Sequence, residues 1–271
     1  MQEVKIGGVP EHFNYPWLRC IEENYFSRAG IHVSWKNCDG GTGQMISDLQ
    51  TKEIDLAIML TEGSIKEIES GASFSIIQKY IETPLIWGVF VNADSNIKHL
   101  EQLSDKIAAI SRINSGSHLM TYVLADSYKW DINQIRLQEC LNLKGAFESL
   151  KHGTSDYLLW EKFTTLPYLS TNNLRHVGNC PTPWPCFVIV CRAEYELLNS
   201  SLIQSLLNII NNYTLNFKNI NGVARDLAKE YHMSEEETRE WLSITKWSQH
   251  KLEQEVYNSI LDKIKSYRII S

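Results

Sequence analysis

Short apolar runs alternate with amphipathic segments from the start of the chain to about residue 190, and beyond that point every apolar stripe has helical spacing. Strands repeat every two residues and helices every 3.6, so this alternation predicts an α/β protein with crossover helices, followed by a helical C-terminal region. Strands are expected at 4–7, 31–35, 54–60, 74–80, 85–91, 106–110, 135–137, 157–160 and 174–178, with a return strand at 186–191. Helices are expected from Pro16 to Gly30, over 43–51, after a capping box formed by Ser64 and Glu67, and over 118–127 and 144–152. Four more follow residue 202, one capped by Ser234 with Glu237 and the last striped by Leu252, Val256, Ile260 and Ile264.

At 271 residues the chain exceeds the size at which one hydrophobic core keeps growing. A polar linker at 92–96 leads into a second βαβ lobe, and the stiff segment Cys180-Pro181-Thr182-Pro183-Trp184-Pro185 suits a crossing between lobes, because proline restrains its own φ and the residue before it. The expected division is residues 1–91 with 187–271 as lobe one and 92–186 as lobe two, with Cys186–Cys191 returning beside 85–91.

Two loops carry candidate chemistry. Cys38-Asp39-Gly40-Gly41-Thr42-Gly43 follows the second strand, and Ser111-Arg112-Ile113-Asn114-Ser115-Gly116-Ser117-His118 follows the strand at 106–110. Each opens a helix, whose first turn has unpaired N–H donors and a partial positive charge, and glycine lets a ligand approach the backbone. An anionic group shared by two lobes is the resulting expectation. The same composition is also ordinary turn-and-cap chemistry.

The net charge of −6 is spread without a basic stripe, which argues against a nucleic-acid partner and for a small molecule. No run approaches the length of a transmembrane segment. The start Met1-Gln2-Glu3-Val4-Lys5-Ile6 enters a strand without the regions of a signal peptide, so a cytoplasmic location is expected, the alternative being export with the leader absent from this sequence. The six cysteines lack CxxC or metal-ligand spacing, so no metal or cofactor is expected, and free thiols on this scale fit a reducing compartment. Cys186 and Cys191 read as core residues.

The order of these pieces resembles the type II periplasmic-binding-protein superfamily, in particular the branch with solute-binding proteins for alkylsulfonates and thiamine-type pyrimidines and the fungal thiamine-pyrimidine synthases. The resemblance rests on Val4–Gly7, on Gly40-Gly41-Thr42-Gly43 followed by a helix and Lys52-Glu53-Ile54-Asp55-Leu56-Ala57, on Ser115-Gly116-Ser117-His118, and on Lys151-His152-Gly153-Thr154-Ser155-Asp156-Tyr157. It implies a two-lobed fold with a hinge of two crossing strands, C-terminal helices, and a ligand held in the cleft. The matching loops would supply Asn14, Tyr15, Gly41, Thr42, Gly43, Thr61 and Glu62 from lobe one, and Arg112, Asn114, Ser115, Gly116, Ser117, His118, Trp160, Glu161 and Trp184 from lobe two or the crossing. Tyr15, Trp160 and Trp184 would sandwich a flat ring, with Glu62 or Glu161 accepting from a ring amine. Burial within its own lobe is the competing reading of each aromatic, as capping is for His118.

The reading favoured is a solute-binding-like protein that closes around an anionic or heteroaromatic metabolite. The first alternative is a pyrimidine-synthase-like enzyme, with Lys36, Lys52 or Lys162 as a Schiff-base lysine. The chain departs from the synthases' Cys-Cys-Cys-Phe-Cys motif, having only Cys186-Phe187 and Cys191 in that text. The second alternative is a cytosolic sensor or scaffold whose C-terminal helices meet an unidentified protein partner.

Overall fold

In the computed structural model, which describes residues 2–267, strands and helices follow one another as the periodicities predict. The order begins β1 (Gln2–Gly8), a 3-10 turn (His12–Asn14), α1 (Tyr15–Glu22), α2 (Tyr25–Arg28), β2 (Ile31–Asn37), α3 (Gly41–Gln50), β3 (Leu56–Leu60), α4 (Thr61–Glu69) and β4 (Phe74–Ile81). It continues with β5 (Ile86–Asn92), β6 (Ile107–Ile110), α5 (Gly116–Ser127), β7 (Arg136–Glu139), α6 (Leu143–Lys151), β8 (Tyr157–Glu161), α7 (Lys162–Thr165) and β9 (Leu174–Pro181). Last come β10 (Phe187–Arg192), α8 (Ala193–Leu198), α9 (Ser200–Asn216), α10 (Val223–Glu230), α11 (Glu235–Ile244) and α12 (Gln254–Ser266).

The described chain forms two units, residues 2–83 with 184–262 and residues 84–183 with 263–267. Each contains a five-stranded sheet, and the two sheets share one topology: β2-β1-β3-β10-β4 in unit 1 and β7-β6-β8-β5-β9 in unit 2. In both, three parallel strands are followed by one strand that runs antiparallel to both its neighbours.

An aspartate sets the register of the parallel strands in each sheet. Asp55, just before β3, accepts a hydrogen bond from the Lys5 N–H at 2.9 Å while its own N–H donates to the Lys5 carbonyl at 2.8 Å. Asp156, just before β8, does the same to Ile107, at 2.7 and 2.8 Å. The carboxylate satisfies a strand amide that the ladder leaves without a partner, and so pins the first strand to the third. Asp55 also holds Arg192 at the end of β10 with N···O 2.7 Å, both side chains being 13% exposed. One carboxylate thereby ties β1, β3 and β10 together. These are the aspartates of the two helix-to-strand passages that carried the family resemblance.

The cores lie against these sheets. In unit 1, Met45 and Leu49 of α3 pack with Ile54, Ala57, Met59, Val188 and Val190. In unit 2, Phe147 and Leu150 of α6 pack with Phe90, Ala109, Leu158 and Leu174. Cys186 and Cys191 are fully buried, as expected of core residues. The capping box of Ser234 with Glu237 is present at the start of α11.

Four expectations are corrected. First, 85–91 was assigned to lobe one beside the returning 186–191, but β5 pairs with β8 and β9 in unit 2, and β10 pairs with β3 and β4. The two antiparallel strands are exchanged relative to that expectation: the fourth strand of each sheet is the one that follows a crossing, β5 in unit 2 and β10 in unit 1, and of the two sheets that of unit 1 takes its strand from beyond the other unit's segment. Second, residues 184–186 fall in unit 1 and the chain from Lys263 falls in unit 2, where Lys263 and Tyr267 bind Asp126 of α5; residues 1 and 268–271 of the expected lobe one lie outside the described residues. Third, α4 begins at Thr61 directly after β3, so Ser64 is inside the first turn, its hydroxyl donating to the Leu60 carbonyl at 2.9 Å, and it caps nothing. Fourth, the helix expected from Pro16 to Gly30 is broken by Asn24, whose φ of 62° lies in the left-handed region that asparagine tolerates.

Replacing Asp55 with Ala should remove about 3 kcal/mol or more from the folding free energy, because it strands Arg192 as well as the Lys5 amide. Asp156→Ala should cost less, about 1–3 kcal/mol, since it leaves only an amide unpaired. Urea denaturation measures both, and wild-type stability in both variants would show that strand pairing alone sets the register.

Candidate functional site

In open α/β sheets the connections diverge where the strand order reverses, leaving a crevice outside the carboxyl ends of the parallel strands. In unit 1 the reversal lies between β1 and β3, paired with Gly8 opposite Ile58. The turns and helix starts leaving this edge contain Asn14, Gly41–Gly43, Thr61 and Glu62. In unit 2 the reversal lies between β6 and β8, and the loops leaving that edge contain Arg112 to His118 and Glu161. The sequence candidates from each unit thus gather at equivalent edges of one repeated topology.

Unit 1 presents acceptors. Asn14 is 1% exposed, and its amide nitrogen donates to the Val9 carbonyl at 2.8 Å. That bond turns Oδ1 the other way, where among the described residues it finds no partner. Asn14 rests over Gly8, where a Cβ would stand 2.7 Å from its Nδ2 and 2.6 Å from the Trp35 ring. A side chain at residue 8 would displace both. Thr61 and Glu62 open α4, fully buried and 3% exposed respectively, and Thr61 Oγ1 and Glu62 Oε1 also find no protein partner. The other carboxylate oxygen of Glu62 accepts from the Trp184 indole at 2.8 Å. Thr42, at the start of α3, packs on the opening turn of α4, its methyl 2.7 Å from where a Cβ on Gly63 would be. A buried acceptor without a partner costs about 1–3 kcal/mol, so a donor that reached these oxygens would be favoured by about that much at each.

Burial pushes the Glu62 carboxyl up to about 7, with the Trp184 indole opposing part of that shift. Burial likewise pushes Glu11 up to about 7 and holds the His12 imidazole down at about 3. His12 is enclosed by the rings of Phe13 and Trp241, each with its centroid 4.5 Å away.

Unit 2 presents a helix start. Ser115 caps α5, accepting from the His118 amide, and its hydroxyl meets that of Ser117 at 3.1 Å. Ser117 Oγ accepts from the Ser111 amide at 2.9 Å and is 2% exposed, so this hydroxyl holds the loop together from inside. His118 Nδ1 accepts from the Asn114 amide at 2.9 Å, and Asn114 takes a left-handed φ of 65°. The His118 ring therefore works as a cap. Gly116 is half-buried, and Arg112 and Asn114 are exposed.

Two of the three candidate stacking aromatics have local packing roles. The Tyr15 ring meets Phe217 and Tyr231 edge-on and lies under Arg19, while Trp160 packs on the core cluster around Phe147. Trp184 is 4% exposed and belongs to unit 1 through its bond to Glu62. Glu161 caps α7, accepting from the Thr164 amide. One residue that the sequence did not single out joins the unit 2 edge: Trp87, 6% exposed, stands in register with Glu161, and its indole N–H finds no protein acceptor. Placing 85–91 in the wrong lobe hid it.

Comparison with known proteins agrees with this architecture. The structure superposes on that of the Candida albicans CA3427 gene product, described as defining a new family with the generic periplasmic-binding-protein fold, with a TM-score of 0.89 over 100% of this chain and 92% of that one at 22% identity. The chain has the type II periplasmic-binding-protein fold. Residues 87–180, within unit 2, match the family described as Ca3427-like PBP. The periplasmic aliphatic sulphonate binding protein SsuA of Escherichia coli is similar at a TM-score of 0.77 and 17% identity, covering 100% of this chain and 94% of that one. The alkanesulfonate-binding protein SsuA of Xanthomonas axonopodis pv. citri, bound to MOPS, gives 0.81 and 15%, covering 100% and 95%. No curated protein matches by sequence. The two-lobed binding-protein fold that the resemblance implied is borne out. Among the described residues, no helix is long and apolar enough to cross a membrane.

The raised Glu62 carboxyl gives a pH dependence of definite sign. The folded state prefers the protonated acid, so this contribution to stability is complete below about 4.5 and is lost as pH rises through about 7. Glu62→Gln should flatten the stability profile between about pH 4.5 and about pH 7 and leave the variant more stable than wild type above that window by about 1–3 kcal/mol. Glu11 titrates in the same window, so part of the slope should remain. Denaturant unfolding across pH measures this, and an unchanged slope would place the Glu62 carboxylate in a well-solvated setting.

Proposed function

We propose that this chain is a solute-binding protein that takes a small anionic or heteroaromatic metabolite without transforming it, using the carboxyl-edge loops of both units. The observation that carries the reading is the repetition: candidate loops occupy the same edge of the same strand order twice, in units of quite different sequence. A ligand that donates to Asn14, Thr61 and Glu62 would relieve the three unpaired acceptors of unit 1. The first turn of α5, with Gly116 at its start, suits an anionic group such as the sulfonate that the relatives' names describe. A ligand touching both units would favour a closed state by its differential affinity for closed over open.

Binding without chemistry is favoured over the synthase reading by the state of the groups that would react. Cys186 and Cys191 are buried in the core, and burial pushes the Cys191 thiol up to about 12. Lys36 is paired with Asp48 at 3.0 Å and Lys52 with Glu194 at 3.3 Å. None of the six described cysteines is joined in a disulfide, which suits a reducing compartment such as the cytoplasm.

A thermal-shift panel of alkylsulfonates, phosphates and aminopyrimidines should contain at least one stabilising compound, by about 2.7 kcal/mol at one hundred times its dissociation constant. The same compound should reduce the radius of gyration in solution scattering. Thr42→Glu and Gly116→Glu should each abolish both effects, and wild-type affinity in both variants would mean that the ligand binds elsewhere.

A further inference from the structure

The last turn of α12 lies outside the loops just described, yet it leads to one of them through three rings. Tyr267 donates its hydroxyl to Asp126 Oδ2 at 2.7 Å, and Lys263 reaches the same oxygen at 3.2 Å. The Tyr267 ring, 6% exposed, is stacked on Tyr122 with centroids 6.2 Å apart and planes within 13°. Tyr122 in turn meets the His118 ring edge-on at 4.9 Å. His118, Tyr122 and Asp126 are spaced by four residues, so they form one stripe on α5, and the C-terminal turn is laid along it.

At the head of the stripe, the His118 ring nitrogen holds the Asn114 amide, and Asn114 sits in a backbone conformation that non-glycine residues visit at a cost. The His118 acceptor must point at that amide for the 111–118 loop to keep its shape, so anything that orients the imidazole orients the loop. Tyr122 bounds the ring, and Tyr267 bounds Tyr122. The Tyr267 ring is held by its own burial, with the hydrogen bond to Asp126 adding to it.

We infer that Tyr267 is a positioning residue for the loop that opens α5, acting through the Tyr122 and His118 rings. The C-terminal turn thereby becomes part of the support of a candidate ligand loop far from it in sequence. This goes beyond the binding reading, and its test needs no ligand, so either can fail without the other.

The test is amide hydrogen exchange on the full chain, comparing wild type with Tyr267→Ala, Tyr267→Phe and Tyr122→Leu, together with the imidazole proton shifts of His118. Tyr267→Ala and Tyr122→Leu should each speed exchange at Asn114 and His118 by about tenfold or more and move the His118 resonances, while amides of β6 and β8 keep their protection. Tyr267→Phe retains the stack and should stay within about threefold of wild type. Unchanged exchange at Asn114 in Tyr267→Ala, a uniform rise across all of unit 2, or a Tyr267→Phe variant as perturbed as Tyr267→Ala would each overturn the inference. Should Tyr267→Ala fail to fold, Tyr122→Leu decides by the same readings.

Discussion

A carboxylate at the entry of a strand, bonded across to the backbone of its neighbour, governs how everything else in this molecule is placed. Asp55 and Asp156 each lock the third parallel strand to the first. A slip of one residue in that pairing would exchange the buried and exposed faces of the strand, so register decides which side chains become core. It also decides where the strands end. Because the strands ending at Gly8 and Leu60 in unit 1, and at Ile110 and Glu161 in unit 2, finish at their sheets' carboxyl edges, the turns and helix starts that follow emerge side by side within each unit.

The two edges differ in polarity although they share a topology. Unit 1 offers oxygen atoms: an amide carbonyl, a hydroxyl and a carboxylate pushed toward neutrality by burial. Unit 2 offers a helix start whose serine hydroxyls are spent on holding the loop. The contrast makes the two halves unlike in what they would ask of a ligand, one favouring groups that donate and the other groups that carry negative charge. An anionic group, the first expectation from the glycine loops, suits the unit 2 edge better than the unit 1 edge.

Much of the fold was legible because periodicity is a local signal. The strands at 31–37 and 56–60, the helix of α5 and the capping box at Ser234 all follow from neighbouring residues. Pairing is not local. The sequence of 85–91 is equally apolar whichever sheet it joins, and only the positions of β8 and β9 assign it, which is why the lobe boundary was misplaced and Trp87 overlooked. Likewise, Ser64 and Glu67 have the spacing of a cap, but β3 runs into α4 without a loop for the cap to close. At the candidate site, the loops were legible from glycine and serine, whereas the internal roles of Ser117, His118 and Tyr15 depend on partners that residue type does not reveal.

The exchange of antiparallel strands bears on the order in which the chain can fold as it leaves the ribosome. Unit 2 draws its whole sheet from 84–183, so that sheet can form as soon as this stretch has emerged. Unit 1 cannot finish at that time: β3 and β4 are neighbours of β10, not of each other, and both present bare edges until residues 187–192 are made. For the time needed to synthesise the intervening hundred or so residues, two apolar strands wait with unpaired backbone, an invitation to nonspecific association that nascent-chain chaperones exist to refuse.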